Sequence, residues 1–295
     1  METVLVTGSL GRLGRWTVDH LTADDRIVVG VDRKHPGSDA DIRGDVQLRA
    51  CDLTDQGAVW EIIRDVGPDA IVHLGAIPNP EVHSGTHVFE NNVMSTYNVL
   101  MAAGEAGVPI TWASSESAYG FPFAREPSLP DYLPIDEDHP LRPEDAYGSS
   151  KLVGEDIAEI VARRYDVPIA SLRISNVQYP GNYSVLDDQD DLDAGVGNFW
   201  SYVDGRDVAS AVEAAIDAEL TGHEPFVVAA TDTYLDRPTT DAFEAYFGEL
   251  PDEVAINGRE SALSSAKARD LLDWEPKHRW QTAAQEDVPT PSMTQ

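Results

Sequence analysis

Residues Thr3 to Trp16 read TVLVTGSLGRLGRW. The first five are aliphatic or β-branched and stop at a glycine, the pattern of a short strand buried on both faces of a parallel sheet. Gly8, Gly11 and Gly14 follow, and GRLGRWTVDHLTAD continues as an amphipathic helix. Glycines placed between a strand and a helix have a physical use. Gly8 permits the tight turn, Gly11 lets backbone approach a ligand, and Gly14 lets the helix pack close to the sheet. The free N–H groups at the helix start favour negative charge. Such a turn holds the pyrophosphate of a dinucleotide, with Arg12 and Leu13 beside it in the loop.

Working outward, RIVVGVD gives a second strand ending at Asp32 and VQLRACDLTD a third. AVWEIIRDVG reads as a helix, PDAIVHLGA as a strand, and HVFENNVMSTYNVLMAAGEAG as a long helix with a glycine stop. PITWASSES is a strand running into a polar turn. A loop rich in proline and acid covers 121–143, a helix carries Tyr147 and Lys151, and PIASLRISN is a sixth strand. Helices near 207–219, 241–247 and 264–272 and a strand in EPFVVAA complete the pattern. Alternating strands and helices predict an α/β chain with a Rossmann-like, doubly wound parallel sheet. The expected organisation is a dinucleotide-binding domain over 1–175 and a smaller, mainly substrate-binding part over 176–285, interleaved with that core. A flexible tail is expected over 286–295.

Asp32 falls where a carboxylate can accept from the hydroxyls of a cofactor ribose, which favours NAD. Arg33 and Lys34 follow it, and Arg12 lies in the glycine loop, so a 2′-phosphate could also be held; NAD and NADP both stay open. Asp52 and Leu53 are placed where an adenine would lie. Leu74, Gly75 and Ala76 put small or apolar residues beside the cofactor. His73, on the same strand, reads as a core histidine.

The chain has 295 residues, 52 acidic and 21 Lys or Arg, for a net charge of −31. That charge repels nucleic acid and anionic membrane. The longest apolar runs are too short for a membrane span, and the N-terminus lacks the features of a signal peptide. A cytoplasmic location is expected. The single cysteine, Cys51, excludes an intramolecular disulfide. Dense carboxylates with only four lysines suit a salt-rich cytoplasm, where high ionic strength screens their repulsion. Loss of structure or activity on salt removal follows from that reading.

Tyr147 and Lys151 lie one helical turn apart in YGSSK. Together with TGxxGxxG, the Asp52–Leu53 pair, NNVMSTYNVL and SSESAYG, in this order, they make the chain resemble the extended short-chain dehydrogenases/reductases, in the NAD-dependent epimerase/dehydratase group. The resemblance covers roughly the whole chain. It implies a catalytic set of Ser115, Tyr147 and Lys151, with Ser114 the neighbouring alternative to Ser115. Tyr147 would take a proton from a substrate hydroxyl, helped by the Lys151 ammonium and the cofactor's positive charge. Lys151 would also bond the nicotinamide ribose. Asn92, Ile174, Tyr147 and Lys151 join the implied cofactor contacts, and a homo-oligomer, dimer or tetramer, is the family expectation.

Within that group the C-terminal half is similar to the compact sugar 1-dehydrogenases, a set that includes uronate and archaeal aldose dehydrogenases; RISNVQYPGNY and LLDWEPKHRW carry the likeness. Uronate-specific members use an arginine just after the "NY" stretch to grip a carboxylate. Here that stretch reads NYSVLDDQDD, so a sugar acid would be repelled. Arg173 and Arg206 are the nearest basic residues in sequence. The expected substrate is therefore a neutral aldose; the resemblance points first to a pentose such as L-arabinose, with D-xylose, D-galactose and D-glucose open. It would be oxidised at C1 to the lactone, and Asn79, Ser115, Glu116, Ser117, Tyr147 and Asn176 would meet it. A sugar or nucleotide-sugar epimerase or dehydratase that retains its NAD is the alternative, and a non-catalytic cofactor sensor a third. No metal site is expected: His83, His87 and Glu90 lack a further convergent ligand, and the acidic loop 187–193 lacks the calcium-loop pattern. Of the tryptophans, Trp200 is the one that could line a sugar site.

Overall fold

The computed structural model describes residues 1–37 and 41–293. Five strands open the chain: β1 (Thr3–Thr7), β2 (Ile27–Asp32), β3 (Val46–Ala50), β4 (Ala70–His73) and β5 (Ile110–Ala113). The short β6 (Tyr132–Leu133) precedes β7 (Ile169–Ile174). The short β8 (Val177–Gln178) and β9 (Val203–Asp204) precede β10 (His223–Val228), and β11 (Glu253–Val254) pairs with β6. Seven strands form one parallel sheet in the order β10-β7-β5-β4-β1-β2-β3. The direction of winding reverses between β1 and β4, and a crevice opens at the carboxyl ends of strands where an α/β sheet does this.

The apolar run of β1 is continuous because the strand is covered twice. Val4 and Val6 face a core shared with Val18 and Leu21 of α1 (Arg12–Ala23), while Leu5 points to the opposite core with Val59, Ile63, Val99 and Leu100. The second layer comprises α2 (Gln56–Val66), α3 (Gly85–Ala106) and α4 (Ala146–Tyr165). The α3 and α4 backbones approach closely. A Cβ on Gly104 would lie 2.6 Å from the Tyr165 ring, and one on Gly154 2.5 Å from the Trp112 indole. Asp145 caps α4 by accepting from Tyr147 N at 2.8 Å and Gly148 N at 2.9 Å, which fixes the turn that carries Tyr147.

Beyond β7 the chain builds a separate, aromatic core from Tyr183, Phe199, Trp200, Tyr202 and Phe243, which also takes in Tyr119 and Leu133. It then returns to the sheet through β10. The remaining helices are α5 (Leu192–Gly195), α6 (Gly205–Asp217), α7 (Thr239–Phe247), α8 (Ala266–Leu272) and α9 (Trp280–Ala283). The described part of the expected tail, 286–293, touches the rest of the chain. Glu286 pairs with Arg206 at 2.5 Å, Ser292 N donates to Asp19 at 2.8 Å, and Met293 is buried in the core under α1 and α6. These contacts are with residues far away in sequence, which local composition does not reveal. Residues 294 and 295 lie outside the described residues.

Candidate active site

A cleft of about 340 Å³ opens at the carboxyl ends of β1, β2 and β4. Gly8, Gly11, Asp32, Arg33, Asp52, Leu53, Leu74, Gly75 and Ala76 line it together. Gly8 has φ +69°, and a Cβ there would lie 2.7 Å from Gly75 N. A Cβ on Gly14 would strike Gly8 O at 2.1 Å, so the start of α1 is seated against the turn. This bare-backbone cradle, ending on a helix N-terminus, fits a dinucleotide pyrophosphate. Asp32 is fixed: Leu10 N donates to one carboxylate oxygen at 3.1 Å and Arg33 N to the other at 2.8 Å. Asp52 accepts from Thr54 Oγ1 at 2.7 Å and Thr54 N at 3.0 Å, and these bonds, with the Arg33 charge a smaller cause, hold its carboxyl below the usual range.

Other expected cofactor residues stand back from the cleft. Asn92 clamps Ile77, accepting from its N–H at 2.8 Å and donating to its carbonyl at 3.0 Å. It shapes the wall through Ile77, while the neighbouring Asn91 and Ser95 line the cleft. Arg12 is exposed, its guanidinium 4.3 Å from the Tyr179 ring centroid. Ile174 is buried in the core, and Leu13 packs against it. Asn98, which the sequence did not single out, holds Leu53 O at 3.0 Å. His73 is a core residue between Thr7 and Thr96, its pKa pulled down to about 3 by burial and then by the Lys151 charge.

The geometry separates the two adjacent serines. Ser114 donates to Glu155 at 2.6 Å and is occupied there. Ser115 accepts from Ser117 N at 3.1 Å and hydrogen-bonds the Tyr147 phenol. Lys151 Nζ donates to Ala113 O at 2.7 Å and lies 5.4 Å from the centre of the Tyr147 ring. Burial pulls the Lys151 ammonium down to about 8 against the opposing Glu155 charge. Burial likewise pushes Tyr147 up to about 12; the Ser115 bond opposes this, and the Glu116 and Asp145 charges add to it.

The expected sugar contacts divide. Asn79 accepts from Glu81 N at 2.7 Å and serves its own turn. Glu116 is buried, accepting from Ser175 Oγ at 3.2 Å, from Asn198 Nδ2 and from Asn176 N. Asn176 Oδ1 accepts from Gln178 at 3.1 Å. Trp200 is fully buried and donates to Leu192 O at 3.1 Å, a packing residue. Both nearby arginines are occupied. Arg173 makes two bonds to Glu155, at 3.0 and 2.7 Å, and one to the Tyr119 hydroxyl at 3.1 Å. Arg206 bonds both oxygens of Asp204 at 2.9 Å. His83 and His87 meet ring to ring on the surface, and among the described residues no three His, Cys, Asp or Glu groups converge as metal ligands. Nor is any described helix long and apolar enough to cross a membrane.

The model of the NAD dependent epimerase/dehydratase family matches residues 4–193. The chain belongs to that family. Its cleft and its family agree on the cofactor, NAD or NADP. Among curated relatives, the L-arabinose 1-dehydrogenase (NAD(P)(+)) of Haloferax volcanii is 32% identical over 59% of this chain and 66% of its own length. A UDP-glucose 4-epimerase of Lactobacillus helveticus is 25% identical over 93% of this chain and 92% of its own. The matched region spans less than two thirds of the arabinose dehydrogenase, at 66%, and of a putative UDP-glucose 4-epimerase of Methanocaldococcus jannaschii, at 55%. Among solved structures, the UDP-glucose 4-epimerase of Thermotoga maritima superposes with a TM-score of 0.73 at 21% identity, covering 96% of both chains. A mutated uronate dehydrogenase superposes with a TM-score of 0.69 at 22% identity, over 99% of this chain and 91% of the other. At these identities the superpositions speak to the fold alone.

Proposed function

We propose that this epimerase/dehydratase family member oxidises a neutral aldose at C1 to the lactone, with L-arabinose the first candidate. The observation that carries the reading is that the two arginines nearest in sequence to the expected sugar contacts are both charge-neutralised. Arg173 is locked to Glu155 and Arg206 to Asp204, so neither is free to grip a carboxylate or phosphate. The similarity to the arabinose dehydrogenase supports it further. Ser115 holds the anomeric oxygen, and Tyr147 takes its proton. The phenol, at about 12 in the resting pocket, is brought into range when positive charge arrives beside it. Lys151, held on Ala113 O, supplies part of that charge and bonds the cofactor ribose. The bound nicotinamide accepts the hydride. Asp32, fixed by two backbone N–H groups, meets the ribose hydroxyls and disfavours a 2′-phosphate, so NAD is the preferred form.

A second reading keeps its support. Two UDP-glucose 4-epimerases align along 93% of the chain, where the arabinose dehydrogenase aligns along 59%. An epimerase would take the same proton and return the hydride, leaving no net reduction. Exposed apolar side chains on α3 (Phe89, Met94, Tyr97) and α4 (Ile160) fit pairing with a second copy in either case.

The test is nicotinamide reduction in molar salt with neutral aldoses, uronic acids, sugar phosphates and UDP-sugars, using NAD and NADP separately. Turnover is expected with one neutral aldose and to fall in dilute buffer, as a net charge of −31 demands. Conversion of a UDP-sugar without net reduction would transfer the chain to the second reading.

A further inference from the structure

Glu116 sits directly after Ser115, in the 3₁₀ turn Glu116–Tyr119 that ends the β5 segment. The two carboxylate oxygens are bound by donors from separate parts of the molecule. Ser175 Oγ and Asn176 N come from the end of β7, and Asn198 Nδ2 comes from the substrate-side segment Gly195–Trp200. A group so fully hydrogen-bonded is a strut between segments, not an arm free to read a sugar hydroxyl.

The segment it ties down is held hard. Phe199 and Trp200 both lie in the left-handed region, at φ 47° and 54°, which bulky residues adopt only when their surroundings dictate it. Here Trp200 is fully buried, and its carbonyl accepts from Thr233 Oγ1 at 2.9 Å and Tyr234 N at 3.2 Å. A Cβ on Gly197 would lie 2.9 Å from Pro122 O. The neighbouring loop joins both ends of the path: Phe121 packs on Phe199 at 4.8 Å between ring centres, and Phe123 on Tyr147 at 6.2 Å. Asn198 therefore sits at the start of a segment whose conformation is set by packing, and its amide is presented to Glu116.

We propose that Glu116 is a positioning residue that ties the Asn198–Trp200 segment to the Ser115–Tyr147 pair, and that the charge on its carboxyl sets how readily Tyr147 ionises. It rests on the reading above only in taking Tyr147 as the base. The groups facing this carboxyl are limited. Tyr147 of α4 and Tyr234 of the turn after β10 both feel its charge, and Asp145, the cap of α4, acts on the same Tyr147 phenol. Arg173 is neutralised by Glu155 behind the same turn. Burial pushes Glu116 up to about 8, against the hydrogen bonds of Asn198, Ser175 and Asn176 N. Below that pH the carboxyl is neutral and leaves Tyr147 alone. Above it the negative charge opposes a phenolate on Tyr147, so the two ionisations are coupled and neither belongs to one group.

The test reads Tyr147 itself and needs no sugar. The full chain, labelled with ¹³Cζ-tyrosine and saturated with NAD in molar salt, is titrated by NMR, with Tyr147 assigned by its absence in Y147F. In Glu116→Gln the Tyr147 midpoint is expected to fall by on the order of one pH unit. Asn198→Ala removes one of the bonds that stabilise the carboxylate, so Glu116 stays neutral to higher pH. A smaller fall in the same direction is expected. An unchanged midpoint in folded E116Q overturns the proposal. Should E116Q not fold, an unchanged midpoint in N198A overturns it. A shifted midpoint in a protein that reduces NAD with no aldose upholds the role of Glu116 while removing the aldose reading.

Discussion

At the cofactor cleft the chain works with backbone: three glycines, two N–H groups on Asp32, and an asparagine clamping one peptide of the wall. On the proposed substrate side it works with side chains drawn from far apart. Asn198 reaches Glu116 across 82 positions, Arg173 reaches Tyr119 across 54, and Tyr202 reaches Asp232 across 30. The first kind of site depends little on which side chains surround it, and the second depends on each long-range partner. A fold shared by dehydrogenases and epimerases therefore does not by itself fix the substrate.

The largest effect expected lies where the two halves meet. Tyr147→Phe removes the proposed proton acceptor and leaves the glycine turn and Asp32 untouched. Turnover should fall by about 10²- to 10⁴-fold, the range that general base catalysis supplies, with NAD affinity nearly unchanged by calorimetry. Matching losses in both would mean that the halves are not separable.

Next comes the substrate wall's own foundation. Arg173 and Glu155 are 5% and 7% exposed in their side chains, and Ser114 and Tyr119 join their network. Glu155→Ala strands a buried guanidinium, so unfolding in guanidinium chloride should cost about 3–5 kcal/mol less. The control is Asp131→Ala, whose partner Arg142 is 63% exposed; an exposed pair of this kind contributes little to stability. Equal losses from the two substitutions would remove the claim that the wall rests on the buried pair.

The same division decides what was legible beforehand. TVLVTGSLGRLGRW announces its strand, turn and helix because the strand end, the three glycines and the helix start lie within a dozen residues, and each glycine has a local reason to be there. Helical spacing puts Tyr147 and Lys151 on one face, but their roles come from the resemblance to the family's ordered motifs, and Asp32 is marked by the end of a strand. Glu116 was noticed as a polar residue beside Ser115, but its donors were not, because nothing in VGNFW indicates that Asn198 faces back across the molecule. Nor could two consecutive left-handed residues be foreseen at Phe199 and Trp200, where neither is glycine or asparagine. The docked tail escaped for the same reason. VPTPSM looks like a frayed end until Met293 is seen in the core.

The smallest effect expected tests the cofactor half alone. Asp32 is held in place by Leu10 N–H and Arg33 N–H, so its carboxylate is aimed before any ligand arrives. Hydrogen bonds to a charged group contribute about 1.5–3 kcal/mol, so Asp32→Ala should weaken NAD by roughly 10- to 100-fold. Arg33 lines the same cleft, and with the carboxylate gone its charge no longer has a competitor for a 2′-phosphate. NADP affinity should therefore hold or rise while NAD affinity falls, and the choice of sugar should stay as it was. If the sugar preference moved with the cofactor preference, the backbone-built and side-chain-built halves would be coupled through β1 and β4, and the independence argued from their construction would be lost.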